Sequence, residues 1–208
     1  MFPIDIWLAY TLACVLIVLA PGPDIILSIA RGLSQGRPAA MLSGLGAGTG
    51  VLAHSVAATF GLALLIQTSA TAFLAVKLVG AAYLIWLGAK ALISRNLVSF
   101  TPTARRPLRA VYLAGLMSNL LNPKIGLFVP AFLPQFVSAD RGSVEMQMMT
   151  YGAWLAVIAA AGLSIIGSFA SVLSSWLLRR PRLVAGINIG AGLTFVTAGL
   201  SAAAIQNR

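Results

Sequence analysis

Hydrophobic residues fill six long stretches of this chain, and short polar or basic runs separate them. The stretches cover residues 4–30, 40–66, 69–91, 111–137, 147–177 and 183–204. A bilayer core of ~30 Å needs about 20 apolar residues per helix. Several stretches exceed that minimum, as tilted or broken helices do. The pattern predicts an all-α integral membrane protein with six transmembrane helices and no room for a separate soluble domain.

Helix-breaking residues stand beside a charge in two of these stretches. The first stretch contains Pro21-Gly22-Pro23-Asp24, and the fourth contains Asn122-Pro123-Lys124. Because backbone breaks and charges are costly in hydrocarbon, we expect a chain that keeps both to use them on a polar solute. Proline lacks an N–H and fits the first turn of a helix. Pro23 and Pro123 are therefore predicted to begin new half-helices, with Asn122 as an N-cap.

The segment 94–110, rich in Ser, Thr, Pro and Arg, divides the chain into halves 1–93 and 111–208, each with three spans. Because the number of spans per half is odd, equivalent helices must cross the bilayer in opposite directions. The breaks fall in the first span of each half, and paired interruptions of this kind indicate a transporter's central site. We predict one transmembrane transporter domain, residues 1–208, made of two inverted three-helix repeats joined by a cytoplasmic linker, with helices 1 and 4 broken.

The composition agrees with a membrane protein, since 59% of the residues are hydrophobic, 9% are charged and the mean hydropathy is +0.94. A net charge of +10 invites comparison with nucleic-acid-binding proteins, but topology explains where the basic residues lie. Two of them, Arg141 and Arg208, fall on one side of the predicted membrane, and Lys77 and Lys124 lie within spans. The other ten all fall on the opposite side: Arg31, Arg37, Lys90, Arg95, Arg105, Arg106, Arg109, Arg179, Arg180 and Arg182. Because basic loops stay cytoplasmic, both termini are predicted outside the cytoplasm, and no nucleic-acid partner is expected.

Asp24 and Lys124, the charges at the two breaks, define the predicted site. A charge at the bilayer centre costs about 2.5–3.5 kcal/mol on insertion scales, so we expect the two to pair, or nearly pair, when the site is empty. A zwitterionic amino acid would replace that pairing, with its carboxylate at Lys124 and the half-helix N–H groups and its ammonium at Asp24. The predicted substrate-binding residues are Gly22, Pro23, Asp24, Asn122, Pro123 and Lys124. In the alternative interpretation, the prolines only kink packed helices and the two charges form a static bridge.

Other residues are candidates for the transport pathway or for coupling. Gly46, Gly50 and His54 share one face of span two, which favours close helix packing, with a substrate-adjacent backbone as the alternative. Histidine as a residue type changes charge near neutral pH, so His54 could carry a coupling proton, although an interhelical hydrogen bond is preferred. Lys77 either snorkels to the outer interface or lines the pathway. Asn119 is expected to satisfy neighbouring backbone groups.

Together these motifs resemble the LysE/RhtB family of bacterial amino-acid exporters over nearly the whole chain. The matching positions are Pro21, Gly22 and Pro23; Gly46, Gly50, His54 and Gly61; Gly80, Tyr83, Leu84 and Gly88; and Asn122, Pro123 and Lys124. The turn into span two departs from the family at Pro38-Ala39, where a further glycine is frequent. The resemblance implies proton-driven efflux of amino acids across the bacterial inner membrane, without ATP or a cofactor. Tyr83 thereby becomes a further pathway candidate.

Other function classes make different demands on the sequence. Gly32-Leu33-Ser34-Gln35-Gly36 matches the G-x-S-x-G pattern of an intramembrane enzyme's nucleophile elbow, but that elbow needs a preceding strand, so no enzyme is predicted. A channel would favour a continuous polar stripe or a ring of like charges. A metal exporter would need several carboxylates, cysteines or histidines, and no metal site is predicted. Export of another small solute stays open, as does a homo-oligomer formed through the small-residue faces.

Overall fold

The computed structural model describes residues 3–20, 22–68, 70–93 and 104–170, together with scattered positions between 172 and 204. Those four ranges are almost entirely helical and contain no strand, which confirms the all-α prediction for them. The helices are α1 (Ile4–Leu19), α2 (Pro23–Gln35), α3 (Arg37–Thr68), α4 (Ala70–Ile93), α5 (Leu108–Leu120), α6 (Pro123–Phe132) and α7 (Val144–Ser168). Two 3₁₀ turns, Leu133–Phe136 and Ala139–Arg141, join α6 to α7.

Both predicted helix breaks are present, and each begins a new helix at its proline. α2 starts at Pro23 after the N-cap Gly22, and its axis is bent by 63° from that of α1. α6 starts at Pro123 after the N-cap Asn122, and its axis is bent by 58° from that of α5. The Asn122 side chain accepts a hydrogen bond of 3.0 Å from the Lys124 amide, as expected of an N-cap. The two half-helix starts predicted from the prolines are thus confirmed.

The described helices account for most of the predicted spans. Within the described residues, Arg37–Gly61 and Val144–Ser168 are each long and apolar enough to cross a membrane, and each bent pair, α1–α2 and α5–α6, qualifies when it is taken as one span. α4 covers the predicted third span. Pro21, the linker residues 94–103, the side chain of Lys77 and most of the predicted sixth span, 183–204, lie outside the described residues. The inversion of the two halves stays a prediction.

Glycines allow α3 to approach α5 at backbone distance. A Cβ at Gly46 would overlap the Tyr112 carbonyl oxygen, and one at Gly115 would overlap the Ser43 carbonyl oxygen. On its other side α3 packs along α7, where a Cβ at Gly152 would overlap the side chain of Ser55. Small residues let helices pack closely in lipid, where burial of apolar surface gives no net driving force. α3 therefore holds α5 and α7 in fixed positions on either side of it.

Basic segments that the sequence assigns to the cytoplasmic side lie at one end of the described helices. Gln35, at the end of α2, exchanges two hydrogen bonds with the main chain of Arg106, at 2.8 and 2.9 Å. The Arg37 guanidinium lies 5.0 Å from the ring centre of Phe169, just after α7. The ends of α2 and α7 and the start of α5 therefore meet at one end, as the predicted topology requires.

We predict that Gly46→Ala destabilises the protein strongly, because the added methyl group would overlap main-chain atoms of Tyr112 and Leu116. Overpacking of this kind typically costs ~1–3 kcal/mol, so thermal unfolding of the detergent-purified variant should have a lower midpoint. Gly61→Ala is the matched control in the same helix, since nothing described lies within 4 Å of its added Cβ. Equal midpoints for the two variants would contradict the close α3–α5 contact.

Candidate functional site

The two breaks meet at a cavity of about 30 Å³ between the described helices. Its polar lining comes from Asp24, Asn119, Asn122 and Lys124, with Gly22 beside them. Its apolar lining is Ile17, Val18, Ala20, Ile25, Val51, Ile125, Leu155, Ala159 and Leu163. Four of the six predicted substrate-site residues therefore line one cavity, and the other two, both prolines, begin the helices that bring them there.

The Asp24 carboxylate accepts hydrogen bonds from residues at the second break. Ser118 Oγ donates to Oδ1 at 2.8 Å, while Asn119 Nδ2 and Asn122 Nδ2 donate to Oδ2 at 2.8 and 3.1 Å. A carboxylate has about four acceptor positions, so these three donors leave room for one more. Asp24 thus has room to bind a further donor.

Ser118, and Asn119 from the pathway candidates, add to the predicted set of substrate-binding residues. Asn119 was expected to satisfy backbone groups, but its side-chain amide instead donates to Asp24. Ser118 was not predicted at all. The available signal was the polar group Ser118-Asn119 followed by Asn122, because polar side chains are rare in an otherwise apolar span. The last turn of α5, and not only the break itself, belongs to the site.

The Lys124 ammonium is held by main-chain oxygens at the first break. Nζ donates to Ile17 O at 2.8 Å and to Ala20 O at 3.0 Å. Each charge is therefore hydrogen-bonded by the other break. Asp24, at the first break, is bonded by residues at the second, and Lys124, at the second break, is bonded by main-chain oxygens at the first. Asp24 and Lys124 share the cavity, which is the proximity that the expected near-pairing requires.

First-turn amides of α6 are already hydrogen-bonded in this conformation. Asn122 accepts from Lys124 N through its side chain and from Ile125 N and Gly126 N through its carbonyl oxygen, at 3.0, 3.1 and 3.0 Å. The expected binding of a solute carboxylate by these N–H groups is therefore not available here. An N-cap side chain competes for the same donors, and the Lys124 side chain is left as the cationic group at this break.

The other sequence candidates lie beside the cavity or away from it. His54 is half-buried with Nε2 3.3 Å from the Asn119 carbonyl oxygen, which agrees with the interhelical contact preferred above. A Cβ at Gly50 would lie 2.7 Å from Asn119 Oδ1, so Gly50 makes room for that side chain. Gly46 contacts α5, and Tyr83 stacks at a tilt on Trp86, with ring centres 5.6 Å apart.

Packed side chains lie on both sides of the cavity. Away from the basic end, Tyr10 and Tyr151 are fully buried among aromatic rings, and Tyr10 OH donates to Tyr151 O at 2.7 Å. The rings of this aromatic cluster belong to Trp7, Tyr10, Phe128, Phe132, Phe136 and Tyr151. Toward the basic end, Ser28 Oγ donates to Leu163 O at 2.6 Å. Packing contacts therefore lie on both sides of the site.

Ser34 does not occupy a nucleophile elbow. It lies in the last turn of α2, and its hydroxyl donates to the Ala30 carbonyl oxygen at 2.8 Å. A nucleophile elbow places the serine on a turn between a strand and a helix. The G-x-S-x-G match is thus a helical segment, which removes the sequence feature that suggested an enzyme.

Comparison with known proteins gives a consistent result over most of the chain. The family model described as LysE type translocator matches residues 15–205. An uncharacterized membrane protein of Vibrio cholerae is 32% identical over 95% of this chain and 96% of its own length. A homoserine/homoserine lactone efflux protein of Salmonella typhimurium is 28% identical over 93% of each chain, and a leucine efflux protein of Klebsiella pneumoniae is 28% identical over 97% of this chain and 96% of its own. No solved structure matches.

We predict that Asp24 and Ser118 are energetically coupled. Asp24→Ala leaves its buried donors unpaired, which costs ~1–3 kcal/mol for each group. Ser118→Ala should lower the unfolding midpoint in the wild type, but should lower it less, or even raise it, in the Asp24→Ala background. The thermal unfolding midpoints of the detergent-purified wild type, the two single variants and the double variant give the coupling between the two residues. Thr150→Ala is the control, since its hydroxyl bonds Met146 O on the surface of α7, and its effect should add to that of Asp24→Ala. Additive effects of Asp24→Ala and Ser118→Ala would contradict the hydrogen bond.

Proposed function

We propose that this chain, which belongs to the LysE type translocator family, exports amino acids or close derivatives from the cytoplasm. The observation that carries the proposal is the cavity between the breaks, where one carboxylate and one ammonium lie beside two asparagine amides in a lining whose remaining side chains are apolar. A zwitterion complements such a pair of charges. Similarity to proteins named for homoserine, homoserine lactone and leucine efflux supports the same class of solute.

In the proposed complex the solute's ammonium binds at Asp24 and its carboxylate binds at Lys124. Asp24 has one open acceptor position beyond its three described donors. Asn119 Oδ1 is buried and has no hydrogen-bond partner among the described residues, and a buried acceptor of this kind can be satisfied by a ligand. The carboxylate then forms a charge-assisted hydrogen bond with the Lys124 ammonium.

The lining around the charges favours an aliphatic side chain on the solute. Val51, Leu155 and Leu163 border the cavity and offer no side-chain hydrogen-bonding group. A solute hydroxyl placed against them would lose its bonds to water, and burying a hydroxyl without a partner costs roughly 1–3 kcal/mol in proteins. We therefore propose that leucine-like solutes are preferred to hydroxylated ones such as homoserine.

Transport requires movement, because the cavity of about 30 Å³ is too small for an amino acid. On this measure one water needs at least ~10–15 Å³, so the space suits a few waters at most. We propose alternating access between two inverted repeats, 1–93 and 111–208, joined by the cytoplasmic linker 94–110. The aromatic cluster would separate to open the outer side, and the Gln35–Arg106 hydrogen bonds would separate to open the inner side. Both termini would lie outside the cytoplasm, in a bacterial inner membrane.

Protons are the proposed coupling ion. Asp24 is the proposed partner of the solute's ammonium, and Asn119 links it to His54. The Asn119 side-chain amide donates to Asp24, and the Asn119 carbonyl oxygen lies 3.3 Å from His54 Nε2. A change in protonation at either residue would alter the hydrogen bonds that hold Asp24. Export should therefore follow the proton gradient and collapse when a protonophore removes it.

We predict that Asp24→Asn and Lys124→Gln each abolish export from cells loaded with leucine through a leucine dipeptide. Loss of a buried charge partner costs about 2–5 kcal/mol, so the initial efflux rate should fall at least ~30-fold. Asp140→Asn and Arg109→Gln are matched controls, since both side chains are exposed and away from the cavity, and they should export normally. All four variants are first shown to reach the membrane. Normal export by both site variants would leave only the structural interpretation of the two charges.

We predict that Cys14 becomes accessible from outside during export. This cysteine is fully buried in α1, one turn after Tyr10, so opening of the aromatic cluster would expose it. Labelling of intact cells by a membrane-impermeant maleimide should be slow without solute and should accelerate when cells are loaded with leucine. Cys14→Ser shows the background, and the acceleration should be absent in an Asp24→Asn protein. A labelling rate that does not change on loading would contradict an outward-open state.

A further inference from the structure

Main-chain oxygens at the carboxyl end of α1 form an acceptor site. A helical carbonyl normally accepts from the amide four residues later, and for Ile17 that position is Pro21, which has no N–H. Ala20 follows the last helical residue with extended backbone angles, φ −62° and ψ 126°. The carboxyl end of a helix also carries a partial negative charge. The break therefore presents carbonyl oxygens that favour a cationic donor.

An ammonium group occupies this acceptor site. Lys124 Nζ donates to Ile17 O at 2.8 Å and to Ala20 O at 3.0 Å, across sequence separations of 107 and 104 residues. These are ordinary N–H···O distances. The lysine chain passes beside Gly22, where an added Cβ would lie 3.6 Å from Nζ and 3.8 Å from Cδ. The carbonyl oxygens at the end of α1 therefore hold an alkylammonium by two hydrogen bonds, and its chain lies beside Gly22.

We propose that the carboxyl end of α1 is a binding site for a primary ammonium group and that Lys124 is its tethered ligand. The site is made of main-chain atoms, so it persists when the lysine side chain is removed. Its ligand must donate N–H bonds, which a quaternary ammonium cannot do. A free alkylammonium should therefore bind in place of the lysine chain. This proposal goes beyond export and does not depend on which solute is transported.

Lys124→Ala with n-propylammonium chloride tests the site directly, since the alanine methyl group and three further carbons reproduce the lysine chain. The thermal midpoint of the detergent-purified variant is measured against n-propylammonium concentration at constant ionic strength and neutral pH. A ligand that binds only the folded state raises the midpoint in a saturable manner. We expect a rise of about 3 °C or more, and no rise for the wild type, where the lysine chain fills the site.

Matched controls separate the ammonium site from other effects. n-Propanol has the same chain without charge, tetramethylammonium has charge without N–H donors, and Lys124→Met fills the chain volume without an ammonium. Neither n-propanol nor tetramethylammonium should raise the midpoint of Lys124→Ala, and n-propylammonium should not raise the midpoint of Lys124→Met. A shift with n-propanol would mean that only an apolar space is filled, a shift with tetramethylammonium would mean a general charge effect, and no saturable shift with n-propylammonium would mean no site. Each of these results overturns the proposal.

If Lys124→Ala unfolds when it is extracted from the membrane, its thermal midpoint cannot be measured. The fraction of the protein that elutes as a monodisperse peak in size-exclusion chromatography is then measured instead, with and without n-propylammonium. Recovery that requires n-propylammonium supports the site, and recovery unaffected by it overturns the proposal. These measurements are made on purified protein without transport. Failure of the export tests of Asp24 and Lys124 variants would therefore leave the ammonium-binding result unchanged. Failure to bind n-propylammonium would likewise leave the proposed export function unchanged.

Discussion

Two charges removed from water must be solvated by the protein itself, and the structure around the breaks follows from that constraint. An isolated charge in a low-dielectric interior carries a large desolvation penalty. Asp24 offsets this penalty with a hydroxyl and two amide donors from the second break, and Lys124 does so with two carbonyl acceptors from the first. Since each charge depends on the other break, these hydrogen bonds hold the two broken helices together in this conformation.

The breaks supply the groups that do this, and α3 brings them within reach. Pro21 frees a carbonyl oxygen by lacking an N–H, while Asn122 caps α6 and still donates to Asp24. Gly50 lets the Asn119 side chain lie close to α3, because any Cβ there would be 2.7 Å from Asn119 Oδ1. Small residues in α3 are therefore linked to the charges through a short series of contacts. Packing and polar solvation depend on each other in this region.

The hydrogen-bonded state of the two charges bears directly on the proposed export. The hydrogen bonds at Asp24 and Lys124 stabilise the small cavity without a solute, so a solute has to offer bonds of similar strength to the same groups. A zwitterion does this, because it brings one ammonium and one carboxylate together. On the side away from the basic end, the aromatic cluster is held together by ring packing and the Tyr10–Tyr151 hydrogen bond. Such contacts can separate and re-form without leaving a buried charge exposed to lipid.

The sequence alone predicted the properties that depend on residue type and on neighbours along the chain. Proline has no N–H wherever it stands, and therefore Pro23 and Pro123 predicted helix starts that the structure confirms, as the long apolar stretches predicted helices. The partners of the charges were not readable in this way. Ser118 lies 94 residues from Asp24, and their contact depends on how α2 and α5 pack against α3. Only the tertiary structure decided which polar groups face each charge, because hydrogen bonds between distant segments depend on helix positions to within a few tenths of an ångström, and residue types do not specify these.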